Sequence, residues 1–238
     1  MRKIVDLSPN TSKKIRSKKQ IKFVIIHYTG MQSEIVSLKR LKNKLSKVSC
    51  HYLINKKGDI IQMVDENKVA WHAGKSKWKK FNNLNKFSIG IELVNKGHKF
   101  KYENFPFPQV NKLIKLCKKL KQKYKIKPQN FLGHSDIAPL RKIDPGEKFP
   151  WKKLSKYNLG IWYKTNQYNF NLRSEEKKNN FFFKNLYKIG YRYFHTKKRK
   201  KGDHKIIKAF QSHYLPKKVT GKIDQKTLEI CHFLANSR

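Results

Sequence analysis

The run IKFVIIHYT at residues 21–29 constrains this chain more than any other segment. A near-continuous stretch of β-branched and aromatic residues marks a strand buried on both faces, and such strands belong to parallel or mixed sheets covered by helices. The run stops abruptly in polar residues at His27, Thr29 and Gly30. A second strand, FSIGIELV at residues 87–94, alternates. Ile89, Ile91 and Leu93 share one face, and Gly90, Glu92 and Val94 share the other. Between the two strands, CHYLINKKGDIIQMV sets two short apolar runs around Lys56-Lys57-Gly58-Asp59, the pattern of a hairpin.

Helical periodicity separates these strands. Ile35, Leu38, Leu41 and Leu45 predict an amphipathic helix over residues 34–45 with a Lys/Arg outer face. Val110, Leu113, Ile114, Cys117 and Leu120 predict a long helix over residues 108–124, with Pro128 beyond its end. Residues 131–151, FLGHSDIAPLRKIDPGEKFPW, are rich in Gly, Pro and Asp, have no period, and are expected to form a loop. A loop this long in a compact domain is usually functional. The fold class expected is α/β: a central mixed β-sheet flanked by helices.

After about residue 165 the pattern changes to three short helices, carried by NNFFFKNLYKIGY, HKIIKAFQSHYL and IDQKTLEICHFLAN. Gly190 stops the first, and Asp203 and Asp224 are candidate N-caps for the second and third. The organisation expected is a larger domain at 1–160, a linker at 161–175, and a small three-helix bundle at 176–238. The chain has 238 residues, room for one domain of ordinary size and a small one.

A formal charge of +42 first suggests a polyanionic partner. The basic residues are 49 Lys against 8 Arg, spread over nearly every segment. Arg is the residue favoured for bidentate phosphate and guanine contacts, so this balance argues for a Lys-rich compositional bias or an anionic surface, and against specific nucleic-acid recognition. The three cysteines, Cys50, Cys117 and Cys231, form no CxxC pair and read as small buried hydrophobes. No run of about eighteen apolar residues exists to span a membrane. The basic start also lacks a secretory apolar stretch of about 7–15 residues. A cytoplasmic monomer is expected, with the periplasm or cell envelope as the alternative.

The chemistry-bearing residues stand out against this background. A lone histidine at a strand end, such as His27, is more often structural. The case changes with GHSDIAPLRKIDPG, which adds His134 and, ten residues on, Asp144. Three N/O donors with one open position are what catalytic zinc requires, whereas structural zinc closes its fourth position. Glu92 is a carboxylate inside an apolar strand, costly to bury unless paired or working. A salt bridge to one of the lysines would satisfy it; beside a zinc water it would be the natural general base. His51 and His72 are candidates to line the cleft, to support the donors or simply to pack, while His98, His195, His204, His213 and His232 show no ligand spacing. Trp71 and Trp78 are candidates for sugar stacking or for the core.

Taken in order, VIIHYT, SCHYLINKKGDIIQMV, WHAG, LNKFSIGIELVN and GHSDIAPLRKIDPGEKFPW resemble the signature blocks of the zinc-dependent N-acetylmuramoyl-L-alanine amidases, the type-2 amidase family. The likeness spans about residues 20–155 and is nearest the Gram-negative branch with Asp rather than Cys as third ligand. It implies that His27, His134 and Asp144 bind Zn2+, that Glu92 activates the water, and that Lys142 steadies the oxyanion. The implied substrate is peptidoglycan or its muropeptides, cut between N-acetylmuramic acid and L-alanine. LYKIGY, IIKAFQSHYLP and VTGKIDQKTLEI are similar to the three-helix peptidoglycan-binding domain of wall hydrolases. Two other readings compete. A non-catalytic peptidoglycan-recognition protein on the same fold would have lost a ligand, and this sequence keeps all three. A nucleic-acid-binding protein rests on charge alone.

Overall fold

A computed structural model describes residues 4–164, 170, 172 and 174–237. Its centre is a six-stranded sheet. In chain order the strands of this sheet and of two small ribbons are β1 (Ile4–Val5), β2 (Thr11–Ile15), β3 (Phe23–Tyr28), β4 (Tyr52–Ile54), β5 (Ile60–Gln62), β6 (Lys68–Ala70), β7 (Lys77–Trp78), β8 (Phe81–Asn82), β9 (Ser88–Leu93) and β10 (Phe131–Gly133). The main sheet runs β1-β5-β4-β9-β3-β10. Strands β4, β9, β3 and β10 are mutually parallel, and the hairpin partner β5 runs against β4, so the sheet is mixed. The hairpin turn expected at Lys56-Lys57-Gly58-Asp59 joins β4 to β5.

Helices cover both faces: α1 (Glu34–Lys42), α2 (Phe107–Tyr124), α3 (His134–Ile137), α4 (Trp151–Ser155), α5 (Glu175–Ile189), α6 (Asp203–Tyr214) and α7 (Gln225–Asn236). On one face Val24, Ile26, Ile89, Ile91 and Leu93 pack against Leu113, Ile114, Cys117 and Leu120 of α2. Each such side chain contributes about 1.5–3 kcal/mol by leaving water. On the other face Phe23, Ile25 and Leu132 join Phe182, Phe183, Leu186, Ile206, Phe210, Leu228 and Leu234 in one continuous cluster. The apolar sides of α5, α6 and α7 therefore meet the sheet as well as one another. Part of the linker expected at 161–175 lies outside the described residues.

Three local expectations are corrected. The helix expected over 34–45 ends at Lys42, and Asn43 opens a separate short turn, so Leu45 faces solvent; within the helix Leu41 is buried but Ile35 is exposed. The segment 131–151 opens as strand β10, paired in parallel with β3, and continues into the short helix α3. Its few residues are too short a window for periodicity to register. Asp203 is the first residue of α6, not its cap: its carboxylate is taken by the Lys200 N–H and by Arg199. Asp224 does cap α7, accepting from the Thr227 N–H. Cys50, Cys117 and Cys231 are all buried and free. No helix among the described residues is long and apolar enough to cross a membrane.

Candidate active site

The carboxyl ends of parallel strands open onto one side of the sheet, the usual place for a site in an α/β fold. His27 is the penultimate residue of β3 and shares a face with Phe23 and Ile25. Glu92 on β9 is its register partner, so the two side chains stand next to each other on that face. β10 ends at Gly133 and delivers His134 at the start of α3. Asp144 arrives from the same excursion of chain, where the Ser135 N–H donates to the Asp144 carbonyl at 2.8 Å and ties the two donor segments together. Gly133 packs against the Pro145 ring, where a Cβ would lie 2.7 Å from Cδ.

His27 Nδ1, His134 Nδ1 and Asp144 Oδ2 form a triangle with sides of 2.9, 3.0 and 3.1 Å. All three residues are buried, and they make up a candidate metal site. The hydrogen-bond network assigns the protons around this triangle. The Leu84 carbonyl only accepts, so the Ser88 hydroxyl donates to it at 2.6 Å. The Ser88 oxygen then accepts from His72 Nε2–H at 3.1 Å, and His72 Nδ1 accepts from His27 Nε2–H at 3.0 Å. This leaves His27 Nδ1 as a bare lone pair. His134 Nε2 lies 3.1 Å from the Ala73 carbonyl, nearer than the 3.3 Å to Arg141 Nη2, and the tautomer that donates to that carbonyl bares His134 Nδ1. In these tautomers three lone-pair atoms converge with no proton between them, an arrangement that a bound cation would stabilise. Tetrahedral zinc, with ligands at about 2.0–2.1 Å, spaces them by about 3.3 Å, close to the triangle found. The donor set fits the ion.

Charge and burial agree with that assignment. Burial, then the neighbouring His134, pushes His27 down to about 4, so its imidazole is neutral at physiological pH. Burial opposes ionisation of Asp144, and its carboxyl is held well below the usual range only where the His134 and His27 ring nitrogens offer it positive charge and protons, a role a bound cation would take over once those nitrogens are bare. Burial pushes Glu92 up to about 8, with the Asp144 charge adding to the rise and Lys142 opposing it. Among the described residues Glu92 Oε2 is buried without a hydrogen-bond partner and no lysine forms the salt bridge that would have made Glu92 structural.

A cleft of about 520 Å³ lies over the triangle, lined by Tyr28, Trp71, Glu92, His98, Lys142 and Asp144, among others. The structure thus brings all five predicted site residues, His27, His134, Asp144, Glu92 and Lys142, to one place. The remaining candidates divide. His72 lines the cleft and touches His27, whereas His51 is wholly buried and accepts from the Gly90 N–H. Trp71 borders the cleft, and Trp78 is core.

Sequence reasoning missed His98, which stacks on Tyr102 at 4.2 Å and bonds Tyr28 Oη and Glu147 at the cleft's rim. Its only local signal is Gly97, whose left-handed backbone (φ 68°) lies where a Cβ would strike the Tyr28 ring. The support for His72 was also hidden. Its ring fills the space over Gly90, where a Cβ would sit 2.3 Å from His72 Cγ.

Comparison with known proteins agrees with this geometry. Residues 17–147, more than half of the chain, match the family model described as N-acetylmuramoyl-L-alanine amidase. The chain is 37% identical over 230 residues to the N-acetylmuramoyl-L-alanine amidase AmiD of Escherichia coli, covering 90% of this chain and 82% of that protein. The solved complex of E. coli AmiD with anhydro-N-acetylmuramic acid-L-Ala-D-γ-Glu-L-Lys superposes with a TM-score of 0.81 at 32% identity, over 95% of this chain and 92% of that one. AmpDh3 from Pseudomonas aeruginosa, solved with an anhydromuramic pentapeptide, gives 0.79 at 29% identity over 95% of each chain. The chain belongs to the N-acetylmuramoyl-L-alanine amidase family.

Proposed function

We propose that this protein is a zinc-dependent amidase that hydrolyses the amide between N-acetylmuramic acid, anhydro or not, and L-alanine in peptidoglycan or its fragments. The triangle of His27 Nδ1, His134 Nδ1 and Asp144 Oδ2 carries the reading. These three residues would hold the ion, which when bound supplies Lewis acidity toward the scissile carbonyl and acidifies water. Glu92, next to His27 on the sheet and without a fixed partner, takes a proton from the attacking water as its oxygen bonds to the carbonyl carbon. The Lys142 ammonium faces the negative charge that develops on the carbonyl oxygen. As the C–N bond breaks, Glu92 returns the proton to the L-alanine nitrogen. Residues 1–160 provide this chemistry, and the helices of 176–238 are a peptidoglycan-binding-like unit joined through 161–175. The stem peptides of muropeptides are anionic, and the +42 chain presents them a cationic surface.

The test is to incubate purified protein with anhydro-muramyl tripeptide and, separately, with intact sacculi, with and without chelator, and to follow products by mass spectrometry. Release of peptide beginning with L-alanine, abolished by chelator and restored by zinc, is expected. Chelator-insensitive cleavage, or none on either substrate, contradicts the proposal.

A further inference from the structure

Asp136 lies two residues after His134 on α3 and is buried at 1% exposure. Its carboxylate receives three donors. The Gly133 N–H reaches Oδ2 at 2.7 Å, fixing the turn that launches His134. The other two come from the C-terminal helices. Tyr191, just after α5, donates its hydroxyl to Oδ1, and His213 of α6 donates Nδ1–H to Oδ2 at 2.7 Å. Both partners are themselves pinned. Tyr191 packs edge-on against Trp78 at 4.9 Å, and the chain beside it is locked by Gly190, where a Cβ would meet Trp78 at 2.6 Å. The His213 ring is stacked between Trp151 and Tyr214 at 4.0 Å from each. Tyr191 and His213 are fully or nearly fully buried, so these bonds form in a medium where an unmet carboxylate is costly.

We infer that the C-terminal helices are part of the scaffold that aims His134 at the metal, with Tyr191 and His213 acting as positioning residues through Asp136. The helices then do more than attach the enzyme to its polymer. Removing their donors frees the Gly133–His134 turn and loosens one corner of the donor triangle. The inference rests on the reading of His134 as a metal ligand.

The experiment measures the zinc dissociation constant of the full chain by competition with a chromogenic chelator, together with the melting temperature of the metal-free protein. The variants are Tyr191→Phe, His213→Leu, His213→Asn and, as a control, Leu228→Ala, which cuts the shared core but makes no bond to Asp136. Tyr191→Phe keeps the ring against Trp78 and His213→Asn keeps a donor at the position of Nδ1, so folding and positioning are read separately. Tyr191→Phe and His213→Leu are expected to weaken zinc binding about tenfold, the low end for lost outer-shell support. His213→Asn should recover most of the loss, and Leu228→Ala should lower the melting temperature without moving the zinc constant more than about twofold. If wild-type protein binds no zinc, both the metal reading and this inference fall. If wild type binds and folded Tyr191→Phe and His213→Leu bind equally tightly, or Leu228→Ala weakens binding as much as they do, the inference alone is overturned.

Discussion

His27 and Glu92 are register partners on the adjacent parallel strands β3 and β9, pointing to the same face of the sheet. The pairing places a carboxylate beside a candidate ligand without a loop to position it, so the separation is set by backbone hydrogen bonds. If Glu92 acts as the proposed base, a carboxylate held this way would need no reorganisation when substrate arrives.

Glu92→Gln keeps the shape of the side chain and removes its ability to accept a proton. A fall in kcat of about 10²–10⁴-fold is expected, the range for loss of a positioned general base. Zinc content by mass spectrometry should stay at the wild-type level, because Glu92 is not among the three converging donors. A near-normal kcat would remove Glu92 from the chemistry.

The pH profile carries a second signature. In the proposed role Glu92 would act as a base only when ionised, so activity is expected to fall as pH drops through its pKa. Burial and Asp144 raise that pKa to about 8, and Lys142 lowers it. A bound dication lowers it further, so the acid limb of kcat/KM lies below 8 in the loaded enzyme. Lys142→Ala is therefore expected to shift the limb to higher pH, and to cost about 10²–10³-fold in kcat if the ammonium meets the oxyanion. A limb that stays in place, or moves down, would contradict the placement of Lys142 beside Glu92.

The proton-ordered chain from Leu84 through Ser88 and His72 to His27 predicts definite tautomers. Ring nitrogen NMR should find His72 and His27 both protonated at Nε2. His72→Leu removes the acceptor for His27 Nε2–H and should weaken zinc binding about 10–100-fold. His72→Gln, which can still accept, should lose less. Equal affinity in His72→Leu would show that His27 holds its orientation without this support.

Much of this arrangement was legible in the chain. His27 was marked by the abrupt end of a buried strand, and Glu92 by the cost of a carboxylate among Ile89, Ile91 and Leu93. His134 and Asp144 stood out as donors in a segment read as a loop, which the structure corrects in part to β10 and α3, and the family likeness named them as ligands. Lys142 is different. Among 49 lysines nothing local distinguishes it, and only the family likeness singled it out. The Gly90–His72 contact depends on which strand lies beneath the WHAG turn, a tertiary fact that period and propensity do not encode. The Tyr191 and His213 bonds to Asp136 join residues 55 and 77 positions apart, again beyond any local signal. Leu45 continued the period of Leu38 and Leu41, but Asn43 broke the helix before it could turn inward, while Ile35 lies within the helix on its exposed side.

Metal stoichiometry tests the account most directly. Protein stripped with chelator, reloaded with zinc and desalted should retain one zinc ion per chain, and Asp144→Ala should retain far less at the same protein concentration while staying folded by circular dichroism. Wild-type protein that keeps no zinc, or an Asp144→Ala protein that keeps as much as wild type, would contradict a site made by His27, His134 and Asp144.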